Sequence, residues 1–233
     1  MGTLTADFAA EREAMVERQL RRRGITEPDI LDAFRAVPRE AFISSDYAHL
    51  AYGDHPLPIE AGQTISQPYI VALMIQAARI KAGDKVLEVG AGSGYAAAVI
   101  SRIAGEVIGI ERQHDLVEVA RERLQRLGYD NVTIVEGDGT RGCPEHAPFD
   151  AILAAASGSH VPKPLIDQLA DGGRIVIPIG SPGWVQELVK VTKEPGGKLI
   201  EEKLGEVRFV PLIGEEGWKD ARHGTRCAAA VDL

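Results

Sequence analysis

The sequence predicts an α/β fold: a doubly wound, mostly parallel seven-stranded sheet with an antiparallel C-terminal hairpin and an N-terminal helical extension. Three observations lead there. From Lys85 to Ile179, short apolar runs alternate with amphipathic helical ones, a βαβ rhythm that calls for a parallel sheet covered on both faces. Glycines cluster at the first strand-to-helix turn, Gly90-Ala91-Gly92-Ser93-Gly94. Past Gly180 the rhythm gives way to two extended runs around Pro195-Gly196-Gly197-Lys198, the pattern of a hairpin.

In chain order, residues 8–23 set Phe8, Met15, Val16 and Leu20 among charges, an amphipathic helix stopped by Gly24. Thr26 reads as the cap of a second helix with Asp29 three residues on, and Ile30, Phe34 and Val37 recur at helical spacing before Pro38 ends it. Residues 38–68 show weak periodicity, and so long a stretch without elements is usually functional or disordered. Phe42, Tyr47, Leu50, Tyr52, Leu57 and Ile59 argue for order. Pro68 opens a helix to about Arg79. Strands follow at Lys85–Val89, Val107–Glu111, Val132–Val135, Phe149–Ala154 and Arg174–Ile179, with helices at Tyr95–Ile103, 113–127 and 162–170. Gln186–Lys193 and 199–212 form the hairpin, and 214–233 is a tail expected to fray. The expected organisation is one domain over 1–213, with 1–80 a helical part and active-site loop and 81–213 the sheet core and hairpin.

Composition narrows the function. The 233 residues carry 26 Lys+Arg and 34 Asp+Glu, a net charge of −8, so a generic nucleic-acid surface is not expected. Arg21-Arg22-Arg23 reads as a solvated helix end. No apolar run nears the ~20 residues of a membrane span, and the N-terminus lacks a signal-peptide core. Two cysteines, Cys143 and Cys227, make no disulfide framework, which points to a reducing cytoplasm. The histidines and cysteines show no metal-ligand spacing, and no Walker loop is present.

The glycine turn sits where open α/β sheets bind ligands, at the carboxyl ends of the strands. A turn that merely packs helix on strand would read the same way. Glu111, at the end of the second strand, can accept hydrogen bonds from both hydroxyls of a ribose, and Asp138, after the third, can meet an adenine amino group. Each could equally be a solvated strand-end carboxylate. The dinucleotide pattern G-x-G-x-x-G would put its third glycine at 95, but Tyr95 stands there, and its bulk would crowd a pyrophosphate at the helix start. Glu88 adds negative charge suited to an ammonium or sulfonium group. The pattern resembles the S-adenosyl-L-methionine site of class I methyltransferases.

A more specific resemblance comes from Asp54-His55-Pro56-Leu57-Pro58-Ile59, Gly62-Gln63-Thr64-Ile65-Ser66-Gln67-Pro68, Val161-Pro162, Leu165–Leu169, Gly172-Gly173-Arg174 and Val207-Arg208-Phe209-Val210-Pro211-Leu212. Together with Val86–Gly94 they resemble the protein-L-isoaspartate O-methyltransferases over roughly residues 15–213. The resemblance implies methyl transfer from S-adenosyl-L-methionine to the free α-carboxylate of L-isoaspartyl residues in damaged proteins and peptides, giving an ester that collapses to a succinimide. It implies Ser66 as the catalytic-site residue. It implies Glu88, Gly90, Gly92, Ser93, Gly94, Glu111, Arg112, Asp138 and Gly139 at the cofactor, and Ile65, Val210 and Pro211 at the substrate. A monomer is expected. By spacing alone Ser66, just before Pro68 and a helix, reads as an N-cap.

Overall fold

The computed structural model describes residues 7–219. The helices are α1 (Phe8–Met15), α2 (Pro28–Ala36), α3 (Pro68–Ala78), α4 (Tyr95–Ser101), α5 (His114–Arg126) and α6 (Lys163–Asp167). The strands are β1 (Leu57–Pro58), β2 (Thr64–Ile65), β3 (Lys85–Val89), β4 (Glu106–Glu111), β5 (Val132–Glu136), β6 (Phe149–Ala154), β7 (Leu169–Ile179), β8 (Gln186–Lys193) and β9 (Leu199–Val207). Seven of them form one sheet in the order β5-β4-β3-β6-β7-β8-β9. Strands β3 to β7 run parallel, in register through Val86↔Val107 and Val86↔Ala151. Antiparallel β8 lies between β7 and β9, so the last two strands follow chain order.

The sheet is covered on both faces because its central strands are apolar on both. Val86, Val107, Ala151 and Val176 pack with Leu20, Phe34, Ile75 and Ile100 from the helices on one side. Leu87, Val89, Ile108 and Ile152 pack with Cys143, Leu165 and Leu212 on the other. The N-terminal extension thus shares the core of the first face.

Several elements differ from the sequence reading. The α1 rod continues through a π turn at Val16–Leu20 and a tight turn at Arg21–Arg23 before Gly24 closes it at φ 92°. Glu27, not Thr26, occupies the cap of α2; Pro28 takes the first helical position, where its missing N–H costs nothing. Helix α6 is shorter than expected, because the chain is already extended at Leu169. Strand β7 begins there and runs through Asp171-Gly172-Gly173 with a register shift against β6. A Cβ on Gly173 would stand 2.8 Å from the Ala170 carbonyl, so the irregularity needs glycine. Within 38–68 the structure adds the antiparallel pair β1·β2, pairing Leu57 with Ile65. Residues 214–218 do not fray. Trp218 donates from its ring nitrogen to the Ser157 carbonyl at 2.9 Å and from its backbone to Leu212 at 2.8 Å. The rest of the expected tail, 220–233, with Cys227, lies outside the described residues.

Candidate active site

The glycine turn owes its composition to backbone geometry. Gly90, Gly92 and Gly94 all lie at positive φ, 85°, 53° and 85°, which side chains rarely adopt. The turn tucks under the end of β4, with Gly90 and Ala91 donating to the Ile110 carbonyl at 2.8 and 3.2 Å. Gly94 also lets α4 approach α5, since a Cβ there would stand 3.3 Å from Leu124. Tyr95 reaches the wall of the adjacent cavity, but its ring packs edge-on against Phe42 and Phe34, centroids 5.7 and 6.3 Å away. The bulk expected to crowd the helix start is largely taken into the core.

Two carboxylates bracket this turn. Glu88 is 2% exposed, lines the cavity, and has one oxygen with no hydrogen-bond partner among the described residues. Burial, and then the neighbouring Glu111 charge, push its pKa up to about 8, against a partial opposing pull from the Ala97 amide. Glu111 crosses from β4 to the turn. One oxygen accepts from the Gly92 amide at 3.0 Å and the other from the Arg112 and Gln113 amides at 2.8 and 2.9 Å.

Asp138 is engaged within the protein as well. Its carboxylate accepts from the Thr140 amide and hydroxyl at 2.9 and 2.7 Å and from the Glu215 amide at 2.7 Å. Burial pushes its pKa up, but these bonds from Thr140 and Glu215 outweigh it and hold the carboxyl below the usual range. The group therefore fastens the segment after β9 to the end of β5. Gly139 is buried, and a Cβ there would lie 2.6 Å from Val89, so close packing under β3 accounts for it.

The loop from β1 to α3 closes the cavity from outside the sheet. Thr64, buried Ile65 and Ser66 face Glu88, Gly90, Gly92 and Ser93 across it. Ser66 is not the cap of α3. Gln67 holds that position with Pro68 at the first turn, and the Ser66 hydroxyl has no hydrogen-bond partner among the described residues. An open cleft shares Thr64, Ser66, Ala155 and Phe209 with the cavity and extends over Trp184, Val210 and Pro211. Val210 donates no side-chain chemistry there; its carbonyl accepts from the Ser157 amide at 2.8 Å. The predicted residues thus fall into groups. Ile65, Ser66, Glu88, Gly90, Gly92 and Ser93 share the cavity; Val210 and Pro211 join Ser66 in the cleft; Glu111 reaches the cavity wall through Gly92. Gly94, Arg112 and Gly139 line neither, and Asp138 faces a separate surface cleft with Ile110 and Gly137.

Sequence reasoning missed two residues. Buried Gln186 accepts from the Phe209 amide at 2.7 Å and donates to the Phe209 carbonyl at 3.3 Å, pinning the cleft wall. Arg39 is fully buried and bonds the Ser66 carbonyl. Neither carries a local signal, since both partners are distant in sequence. The structure also gathers Cys143, Glu145 and His146 with ligand atoms within 4.8 Å, a grouping not expected from spacing. Burial, then the hydrogen bond to Glu145, push the Cys143 thiol up to about 11.

A glycine turn at the carboxyl end of β3, acidic groups ending the next strand, and an open sheet closed by an antiparallel hairpin define a class I S-adenosylmethionine-dependent methyltransferase. The cavity fits such a cofactor, because the oxygen of buried Glu88 that no described residue bonds suits a cationic group. The family model of the protein-L-isoaspartate(D-aspartate) O-methyltransferases matches residues 10–217, and the chain belongs to that family. It is 55% identical over 207 residues to protein-L-isoaspartate O-methyltransferase 2 of Pelobacter propionicus, covering 89% of this chain and 92% of that one. Enzyme 1 of Rhodopseudomonas palustris is 54% identical over 211 residues, covering 91% and 86%. Among solved structures, one protein-L-isoaspartate O-methyltransferase superposes with TM-score 0.81 at 33% identity, covering 88% of this chain and 67% of that one. A beta-aspartate methyltransferase from Plasmodium falciparum, solved with S-adenosyl-L-homocysteine, gives 0.75 at 32%, covering 87% and 98%. The chain is accordingly an S-adenosylmethionine-dependent methyltransferase acting on isoaspartyl residues.

Proposed function

We propose that the cleft holds the damaged protein strand while Ser66 orients the isoaspartyl α-carboxylate toward the cavity. The observation that carries this reading is Ser66, which lines both cavity and cleft and whose hydroxyl bonds none of the described residues. When bound, S-adenosylmethionine supplies an already activated methyl group. A carboxylate in water, which titrates near pH ~4, is ionised at neutral pH, so the site needs no strong base. Its tasks are alignment and removal of water. Ser66 donates one hydrogen bond to the carboxylate, and Ile65 and Phe209 keep the boundary apolar. Gln186 fixes Phe209, and with it the backbone of Val210 and Pro211, against which a flexible strand can lie. Glu88 offers negative charge to the cationic end of the cofactor. Glu111 holds the glycine turn and offers its remaining acceptor capacity to the ribose. The cavity opens into the neighbouring cleft past Thr64, Ser66, Ala155 and Phe209, so cofactor and substrate strand can meet there. Gly90, Gly92 and Ser93 complete the proposed cofactor surface in the cavity, while Gly94, Arg112, Asp138 and Gly139, outside it, are proposed to meet the part of the cofactor that extends beyond it. For Asp138 the contact uses lone pairs left free by Thr140 and Glu215.

The proposed organisation is one domain through residue 213, although 214–218 pack onto it. We place it in the cytoplasm as a monomer acting on isoaspartyl proteins and peptides, without nucleic acid or membrane partners. No helix among the described residues is long and apolar enough to cross a membrane.

The test is transfer of labelled methyl from S-adenosylmethionine to two peptides that differ in carrying isoaspartate or aspartate at one position. Base-labile label on the isoaspartyl peptide alone is the expected result. Equal label on both would remove the proposed selectivity for the displaced α-carboxylate.

A pH effect follows from Glu88. A cationic cofactor favours its ionised form, so binding below about pH 8 must expel a proton. Affinity for S-adenosylmethionine is expected to rise with pH and level off above about 8. Calorimetric titrations near pH 7 in buffers of different ionisation enthalpy should show proton release, and Glu88→Gln should abolish it. Folding stability carries the opposite sign. The raised pKa means stability is highest below the unfolded-state value of 4.5 and falls as pH rises toward 8, so Glu88→Gln should raise Tm most at pH 8. Binding that exchanges no protons would show that Glu88 does not face the cation.

A further inference from the structure

We propose that Arg39 is a positioning residue for catalysis, a buried cation that sets the place of Ser66 by holding its backbone. This rests on the reading of Ser66 given above. Arg39 is 0% exposed, which is rare for arginine without a carboxylate, and it has no ion pair among the described residues. The adjacent carboxylate, Glu40, is taken by the Tyr52 hydroxyl and by Arg12 at 3.4 Å. Arg39 instead donates from Nε to the Ala51 carbonyl and from Nη2 to the Ser66 carbonyl, both at 2.8 Å. Its guanidinium lies over the Tyr95 ring, 4.8 Å from the centroid, and Nη1 has no hydrogen-bond partner among the described residues.

Burying a charge this way is costly, so a residue that only filled space would be better apolar. What the guanidinium adds is rigid reach. Its planar fork fixes two carbonyls at once, one at the end of the helical layer and one on the catalytic loop. The Tyr95 face, itself at the start of α4 beside the glycine turn, completes the cage by a cation–π contact. Arg39 thereby ties the loop that carries Ser66 to the helix that follows the glycine turn. The chemistry on either side of the cavity is held in one frame.

The test is a double-mutant cycle on kcat with Arg39→Lys and Ser66→Ala, measured with an isoaspartyl peptide, alongside S-adenosylhomocysteine affinity. Lysine keeps the charge but lacks the fork. Since small misplacements cost up to 10²-fold, Arg39→Lys is expected to lower kcat by about tenfold. Cofactor affinity should stay within about twofold, because a loop contact rather than the glycine turn is disturbed. In the Ser66→Ala background the same change should cost under about twofold, because the hydroxyl it positions is gone. Equal losses in both backgrounds, or no loss from Arg39→Lys alone, would overturn the proposal. If Ser66→Ala alone leaves kcat unchanged, the reading of Ser66 fails instead, which the single-variant arm shows separately. Should the lysine variant not fold, Arg39→Met enters the cycle, since it fills the site without an unpaired buried charge.

Discussion

Ser66→Ala is expected to lower kcat by about 10²-fold while leaving cofactor affinity within about twofold. The size follows from what the hydroxyl does and does not do. The substrate carboxylate is already ionised and the methyl already activated, so no proton transfer or covalent adduct is lost with the serine. What the proposed role would lose is the hydrogen bond that aims an anionic oxygen along the line of attack, and misalignment of that kind is costly. The structure also separates this effect from unfolding. A true N-cap serine replaced by alanine costs about 1 kcal/mol, but Gln67 holds the cap of α3 and the Ser66 hydroxyl bonds none of the described residues. Thermal midpoints of the variant and parent are therefore expected to agree closely. Steady-state methyl transfer with an isoaspartyl peptide, titration of S-adenosylhomocysteine and a thermal melt decide the matter together. Undiminished turnover would remove the hydroxyl from the chemistry and leave the loop backbone to orient the substrate.

That the same residue reads as a cap from spacing shows where sequence reasoning stops. Strands Lys85–Val89 and Phe149–Ala154 were legible to the residue, because apolar runs bounded by turns and charge leave little choice of boundary. The glycine turn was legible because positive φ at Gly90, Gly92 and Gly94 demands glycine. At Ser66 spacing alone reads as a cap and the family resemblance as a catalytic-site residue; the geometry places the cap one residue on, at Gln67. Arg39 was not legible. A charged residue between Pro38 and Glu40 reads as surface, and its burial depends on carbonyls at Ala51 and Ser66 supplied by tertiary packing. The partner of Asp138 at Glu215 lies 77 residues away, beyond any local pattern. Strands β1 and β2, two residues each, are too short to show a period of two.

Glu111→Ala should have the complementary effect, a weaker cofactor with turnover at saturation largely kept. Bonds to a carboxylate contribute more than neutral ones, so losing them is expected to cost about 1–3 kcal/mol of cofactor affinity, or about 5- to 150-fold. Two contributions combine. On the proposed reading the ribose loses its acceptor, and the glycine turn loses the bond from the Gly92 amide that holds it against β4. Glu111→Gln separates them from charge, because it keeps the shape and an acceptor oxygen while removing the negative charge. That charge also helps keep the Glu88 carboxyl protonated up to about 8. Either substitution should therefore shift the pH dependence of cofactor binding to lower pH, since Glu88 then ionises more easily. Calorimetric titrations across pH ~5 to ~9, a range that brackets the shifted carboxyl, read affinity and midpoint in one series. Unchanged affinity would sink the ribose assignment; lowered affinity with an unmoved midpoint would mean that Glu111 binds cofactor without governing Glu88. If Ser66 acts on the cleft side and Glu111 on the sheet side, as proposed, their effects should fall on different kinetic quantities, kcat for one and cofactor affinity for the other. A variant carrying both changes should then show their sum, as expected for groups that share a reaction but no contact.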